Sequence, residues 1–174
     1  MKRVFLSVAF IIVALTASLC LKVIREIKLK INIGYEMKIL PRFTFYNLDG
    51  SAFSNDSISK SERVIFIHFN TCCDYCIYEL EQIIQYADDF KQVKVLLISE
   101  EDADQIRTLQ SKFHLKNFTF IKFLHDRNMS YYSYFGTAII PSVVIYNSNG
   151  ELIKQFQGET KIETILKCLN NSNE

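Results

Sequence analysis

The sequence predicts an α/β fold: a three-layer α/β/α sandwich on a mixed central sheet, preceded by an amino-terminal transmembrane helix. Three observations predict it. From about residue 40 onward, apolar runs of strand length alternate with amphipathic runs of helical spacing. The last two strand-like runs, Val143–Tyr146 and Glu151–Phe156, flank the turn Asn147-Ser148-Asn149-Gly150 and form a closing hairpin. Met1-Lys2-Arg3 precedes an uncharged run from Val4 to Leu21.

That amino-terminal run is longer than a usual signal-peptide core of roughly 7–15 residues and close to the roughly 18 at which a spanning helix becomes plausible. Ala17-Ser18-Leu19-Cys20 superficially resembles a lipoprotein box, but Leu19 is too large for the position before a lipidated cysteine, and no A-x-A precedes a polar start. The expectation is an uncleaved signal anchor over residues 1–21, since a helix of the soluble domain would show a polar face. Residues 22–39 mix charged and apolar side chains and read as a juxtamembrane linker, leaving one domain over 40–174. Lys22, Arg25, Lys28 and Lys30 offset Lys2 and Arg3, so charge alone does not orient the span.

Within the domain, Phe43–Tyr46 predicts a strand, Asp49-Gly50 a turn, and Ser57–Ser61 a short helix or turn. Val64–Phe69 is an apolar run that fits a buried strand. Cys76, Leu80, Ile83, Ile84 and Ala87 recur at helical spacing, so a helix begins at or next to Cys73. Val93–Ile98 predicts another strand. Ser99 with Asp102 suggests a helix cap, and Ala103, Ile106, Leu109 and Phe113 mark the buried face of that helix. Phe118–Phe123 predicts a strand, Met129–Phe135 a short aromatic helix, and Thr160–Leu169 a terminal helix. Pro141, one of two prolines, stands at the opening of a strand, where its missing N–H does least harm.

The chain of 174 residues is 49% hydrophobic, enough for an ordinary core, and its formal net charge of +1 suggests no nucleic-acid surface. The most informative residues are Cys73-Asp74-Tyr75-Cys76, a C-x-x-C where the strand meets the helix. Unpaired N–H groups and the positive end of the helix dipole would face the Cys73 sulfur and favour its thiolate, the reactive species in disulfide exchange. Cys76, one turn further in, can bond to it. Half of a structural zinc site and a static disulfide are the alternatives. Zinc normally takes four ligands in two close pairs, and the remaining Cys20, Cys72 and Cys168 with His68, His114 and His125 show no such spacing.

The motif and the proline together resemble the thioredoxin superfamily, in particular the membrane-anchored TlpA/ResA-like thiol-disulfide oxidoreductases (redoxins) of bacteria. The resemblance covers roughly Leu40 to Asn170. It begins with Pro41-Arg42-Phe43 through Asp49-Gly50, continues through Cys73-Asp74-Tyr75-Cys76, and ends with Ile140-Pro141 and the hairpin. It implies that Cys73 and Cys76 form the redox-active disulfide and that Pro141 is cis and faces the pair. It also implies that Glu79, in C-x-x-C-x-x-E, tunes cysteine acidity and proton transfer. Partners would be protein thiols and disulfides, with a membrane-delivered electron donor for a reductive member, and no cofactor or metal is expected. An oxidising compartment suits such a pair, so the domain is expected on the periplasmic or outer side of the cytoplasmic membrane, single-pass.

The chain departs from that family in four places. It has no tryptophan, Cys72 stands where one usually precedes the first cysteine, Ile67 replaces a buried aspartate, and no proline separates Cys73 from Cys76. Cys72 therefore reads either as a modulator of its neighbour or as a small apolar filler. Cys72 and Cys76 are also spaced C-x-x-x-C, which gives an alternative reading as a copper-delivery protein on the same fold, with His125 or Glu79 recruited as a further ligand. A peroxidase is less favoured, its threonine and arginine partners not being evident. His68 reads as a satisfied interior histidine, His125 as a loop residue, Cys168 as packed or idle, and the Tyr131–Phe135 aromatics as core packing.

Overall fold

The computed structural model describes residues 2–59 and 61–171, and among them the chain builds a seven-stranded sheet flanked by helices. The elements are α1 (Lys2–Glu36), β1 (Thr44–Tyr46), β2 (Ala52–Ser54), β3 (Arg63–His68), α2 (Asp74–Gln85), α3 (Ala87–Phe90), β4 (Val93–Ser99), α4 (Ala103–Lys112), β5 (Ile121–His125), α5 (Tyr131–Phe135), β6 (Ser142–Tyr146), β7 (Leu152–Gln157) and α6 (Ile162–Asn171). The strand order is β2-β1-β5-β4-β3-β6-β7. β3 runs parallel to β4, and β4 to β5, while β6 and β7 add antiparallel on one side and β1 and β2 on the other. The sheet is mixed, as expected.

The central strands are covered on both faces, which is why they read as nearly unbroken apolar runs. Alternation divides them into two cores. Ile65, Ile67, Val95, Leu97, Phe123, Val143 and Ile145 pack with Leu80 and Ile83 of α2, Ile106 and Leu109 of α4, and Ile162 and Ile165 of α6. On the opposite face, Val64, Phe66, Leu96, Ile98, Leu124 and Val144 meet Phe43, Phe45, Tyr131 and Phe135. That second face is covered by α5 together with the end of α1.

The role of α1 differs from the linker that residues 22–39 suggest. The helix is continuous to Glu36, and Ile33 and Met37 are buried in the second core. The Tyr146 hydroxyl donates to the Met37 carbonyl at 3.0 Å. The Leu152 N–H donates to the Lys38 carbonyl at 2.8 Å, and Ile39 bridges to Glu151. A Cβ at Gly136, the left-handed cap of α5 with φ +67, would stand 3.1 Å from Ile33 Cγ2. Glycine serves there both for the backbone and for the close approach. The membrane expectation rests on Val4–Leu21; α1 passes through it, but the side chains of residues 2–11 and 13 lie outside those described. Among the described residues, no helix is long and apolar enough to cross a membrane.

Several boundaries shift for local reasons. The cap of α4 is Asp102, whose side chain and that of Gln105 form a capping box, and Ser99 remains in β4. Phe113 is the C-cap of α4 and still packs, partly buried, against the first core. His114 then takes a left-handed conformation and leads into a 3₁₀ turn at Leu115–Asn117, which delays β5 to Ile121. The helix or turn expected at Ser57–Ser61 is a 3₁₀ turn at Asn55–Ser57. A strand not foreseen, β2, pairs with β1 across the Asp49-Gly50 turn. Met129 precedes α5 and is exposed.

Candidate redox site

β3 ends at His68, and the chain turns through Asn70 and Thr71 into α2. Cys73 is the N-cap of that helix, with extended backbone, and its sulfur accepts the Cys76 N–H at 3.2 Å. A serine or aspartate usually fills this position, accepting an otherwise unpaired helical N–H. With sulfur there, the same donor and the helix dipole stabilise the thiolate. The structure joins Cys73 and Cys76 in a disulfide, Cα to Cα 5.2 Å. Cys73 is half-buried and Cys76 is buried, so an approaching sulfur meets Cys73 first. Exposed Tyr75 and Tyr78 on α2, and Ile139 and Ile140 before the proline, give apolar surface around this end of the sheet.

Pro141 is buried and follows a cis peptide bond. The β3–β6 register sets His68 opposite Ser142, so Pro141 lies opposite Phe69, at the root of the cysteine loop. Its carbonyl accepts the Gly158 N–H at 2.9 Å, tying the β6 start to the β7 end.

Glu79 shares the buried face of α2 with Cys76, one turn on. One carboxylate oxygen accepts the Thr160 N–H at 2.7 Å, and the other has no hydrogen-bond partner among the described residues. Burial raises its pKa to about 7, a rise that the Thr160 hydrogen bond opposes and the nearby Glu159 charge assists. Such a group exchanges protons near neutral pH.

On the other face, His68 stacks on Tyr131 with ring centroids 4.2 Å apart. It is interior but not satisfied: neither ring nitrogen has a hydrogen-bond partner among the described residues, and Nε2 stands 3.8 Å from Glu100. Burial lowers its pKa to about 4, against the raising effect of Asp126, so the ring is neutral at ordinary pH. Asp126 is itself buried and accepts the Tyr131 N–H and the Ser130 hydroxyl, both at 2.7 Å. His125 ends β5 rather than lying in a loop.

Cys72 is exposed and outside the disulfide, Cys20 is exposed on α1, and Cys168 packs partly buried against the first core. Among the described residues, no three Cys, His, Asp or Glu side chains gather in a way that could hold a metal ion, so Cys72 and Cys76 draw in neither His125 nor Glu79 as a copper set. The sequence reading missed Glu101. Its carboxylate accepts the Thr71 N–H at 2.6 Å and the Thr71 hydroxyl at 2.9 Å, and the Ser99 hydroxyl lies 3.2 Å away. Nothing in the spacing of Thr71 and Glu101 signals that contact; it arises because parallel β3 and β4 end side by side.

The Redoxin family profile matches residues 36–169. No curated protein matches the chain. Among solved structures, a putative thioredoxin from Neisseria meningitidis is similar at TM-score 0.66 and 22% identity, covering 78% of this chain and 89% of that one. A secreted Mycobacterium tuberculosis disulfide oxidoreductase homologous to E. coli DsbE is similar at TM-score 0.61 and 18% identity, covering 74% and 95%. A thiol peroxidase from Chromobacterium violaceum is similar at TM-score 0.66 and 12% identity, covering 79% and 87%. At these identities the structures show a shared thioredoxin-like fold, which hosts more than one chemistry.

Proposed function

The chain belongs to the Redoxin family, as a thioredoxin-like oxidoreductase, and from that premise we propose that it reduces disulfides of exported protein partners through Cys73 and Cys76. The observation that carries this reading is the Cys73 sulfur at the N-cap of α2, with Cys76 buried one turn further in.

In the reduced state, the Cys73 thiolate attacks one sulfur of a partner's disulfide. A bond forms between them, the partner's S–S bond breaks, and its other sulfur leaves with the electron pair and takes up a proton. Cys76 then loses its proton, with Glu79 as the acceptor, and attacks the Cys73 sulfur. The Cys73–Cys76 bond forms, the mixed Cys73–partner bond breaks, and the partner sulfur that Cys73 had attacked leaves as a thiolate. Two electrons pass from the pair to the partner. Reductive direction and a membrane-delivered dithiol donor follow from the likeness to TlpA/ResA-like proteins. The single-pass anchor over residues 1–21, with the domain facing the periplasm or outside, is part of the same proposal and rests on the uncharged run Val4–Leu21.

Two experiments test it. Cys76→Ser should accumulate a mixed disulfide with an exported protein and Cys73→Ser should not; the reverse pattern reassigns attacker and resolver. A reporter fused to the carboxyl terminus should be active only in a form that requires export, and activity of a cytoplasm-only reporter would overturn the localisation.

A further inference from the structure

We propose that Glu101 is a positioning residue that decides which cysteine pairs with Cys76; the proposal rests on the redox-pair reading above. Cys72 and Cys73 are adjacent thiols competing for one partner. Were α2 to begin two residues earlier, Thr71 would be its N-cap and Asp74 its third residue, a Thr-x-x-Asp capping pattern better suited to a helix start than cysteine. Cys72 and Cys76 would then lie four apart on one helix, with Cα atoms about 6 Å apart, inside the roughly 4.4–6.8 Å that a disulfide spans.

The structure holds the chain out of that register. Glu101, just beyond β4, takes both donors of Thr71, its N–H at 2.6 Å and its hydroxyl at 2.9 Å. The carboxylate is itself braced by the Ser99 hydroxyl, which at 3.2 Å also accepts the Glu101 N–H. Asn70 completes the turn, its side-chain oxygen accepting the Cys72 N–H at 2.8 Å and its carbonyl the Cys73 N–H at 3.2 Å. Thr71 is thereby fixed to the β4 end, the helix starts at Cys73, and the Cys72 sulfur is left exposed, 3.9 Å from the Thr71 hydroxyl.

Release of the clamp opens an internal exchange. The Cys72 thiolate attacks the Cys76 sulfur, the Cys72–Cys76 bond forms, the Cys73–Cys76 bond breaks, and Cys73 leaves as the thiolate. No electrons enter or leave, so no external oxidant is required.

The test is peptide mass mapping of the oxidised protein after equilibration in glutathione redox buffer and acid quench. In the wild type Cys73–Cys76 should dominate. In Glu101→Ala, which removes both hydrogen bonds from Thr71 to the carboxylate, the ratio of Cys72–Cys76 to Cys73–Cys76 should rise at least about tenfold. Glu101→Gln, which keeps one acceptor oxygen, should show a smaller rise. Glu101→Gln also carries the test should Glu101→Ala not fold, because it leaves the Thr71 hydroxyl free to cap the earlier helix start. Disulfide connectivity does not follow from a loss of overall stability, so a share unchanged in Glu101→Ala, or in Glu101→Gln in its place, overturns the proposal. A wild-type map dominated by Cys72–Cys76 would overturn the redox-pair reading itself, and the clamp with it.

Discussion

Glu79 carries the proton balance of the proposed exchange. Its side chain is buried on the same face of α2 as Cys76, with one oxygen anchored by the Thr160 N–H and the other without a hydrogen-bond partner among the described residues. With a pKa raised to about 7, it would, on the proposed mechanism, take a proton from the resolving cysteine and return it without a large energetic step in either direction. Glu79→Gln preserves shape and removes the titration. The resolving rate, followed by stopped-flow, should fall about a hundredfold, and the inflection near neutral pH should vanish from its pH profile; an unchanged profile would remove Glu79 from the mechanism. Cys73 and Cys76 are legible in the sequence because their spacing falls where an apolar strand meets an amphipathic helix, and Glu79 is legible only through the family resemblance that C-x-x-C-x-x-E carries. Glu101 and the unsatisfied nitrogens of His68 are not, because their surroundings come from strands brought together only by the sheet.

The end of α1 is the element whose role its sequence disguises. Mixed charged and apolar residues over 22–39 suggest a linker, yet Ile33 and Met37 close the second core beside α5. The reason is compositional: only one residue per turn needs to be buried, too sparse a pattern to stand out among lysines. A chain beginning at residue 40 should be less stable than one beginning at residue 22 by on the order of 3–6 kcal/mol, the transfer of two buried side chains back to water. Denaturant unfolding of the two soluble chains measures this, and equal midpoints would show that α1 merely rests on the domain. The strands were legible for the opposite reason, since a doubly covered sheet demands runs such as Val64–Phe69 that admit few other readings. Element boundaries moved where a cap or turn residue such as Asp102 or His114 outweighed hydrophobic spacing.

At the scale of the whole molecule, His68 and Glu79 act on stability in opposite senses. The native pKa of His68 is lowered from 6.5 to about 4, so between those values the unfolded chain binds the extra proton and stability rises with pH. The native pKa of Glu79 is raised from 4.5 to about 7, so over that window the native chain binds the extra proton and stability falls with pH. Each effect is on the order of 3 kcal/mol in full, and between about pH 4.5 and 6.5 the two slopes nearly cancel. Equilibrium unfolding across this range should reveal a rising slope in Glu79→Gln and a falling one in His68→Phe, relative to the wild type. Parallel curves for all three proteins would contradict the burial-driven shifts. The embedding of α1 has a consequence of another kind. A flexible tether lets a tethered domain search a broad volume, whereas a helix locked into its domain keeps a set length, about 17 Å between the levels of Lys22 and Ile33. Within the proposed topology, the cysteine pair sweeps a thin layer at one altitude above the lipid, and choice among exported disulfides becomes a matter of elevation before it becomes one of contact.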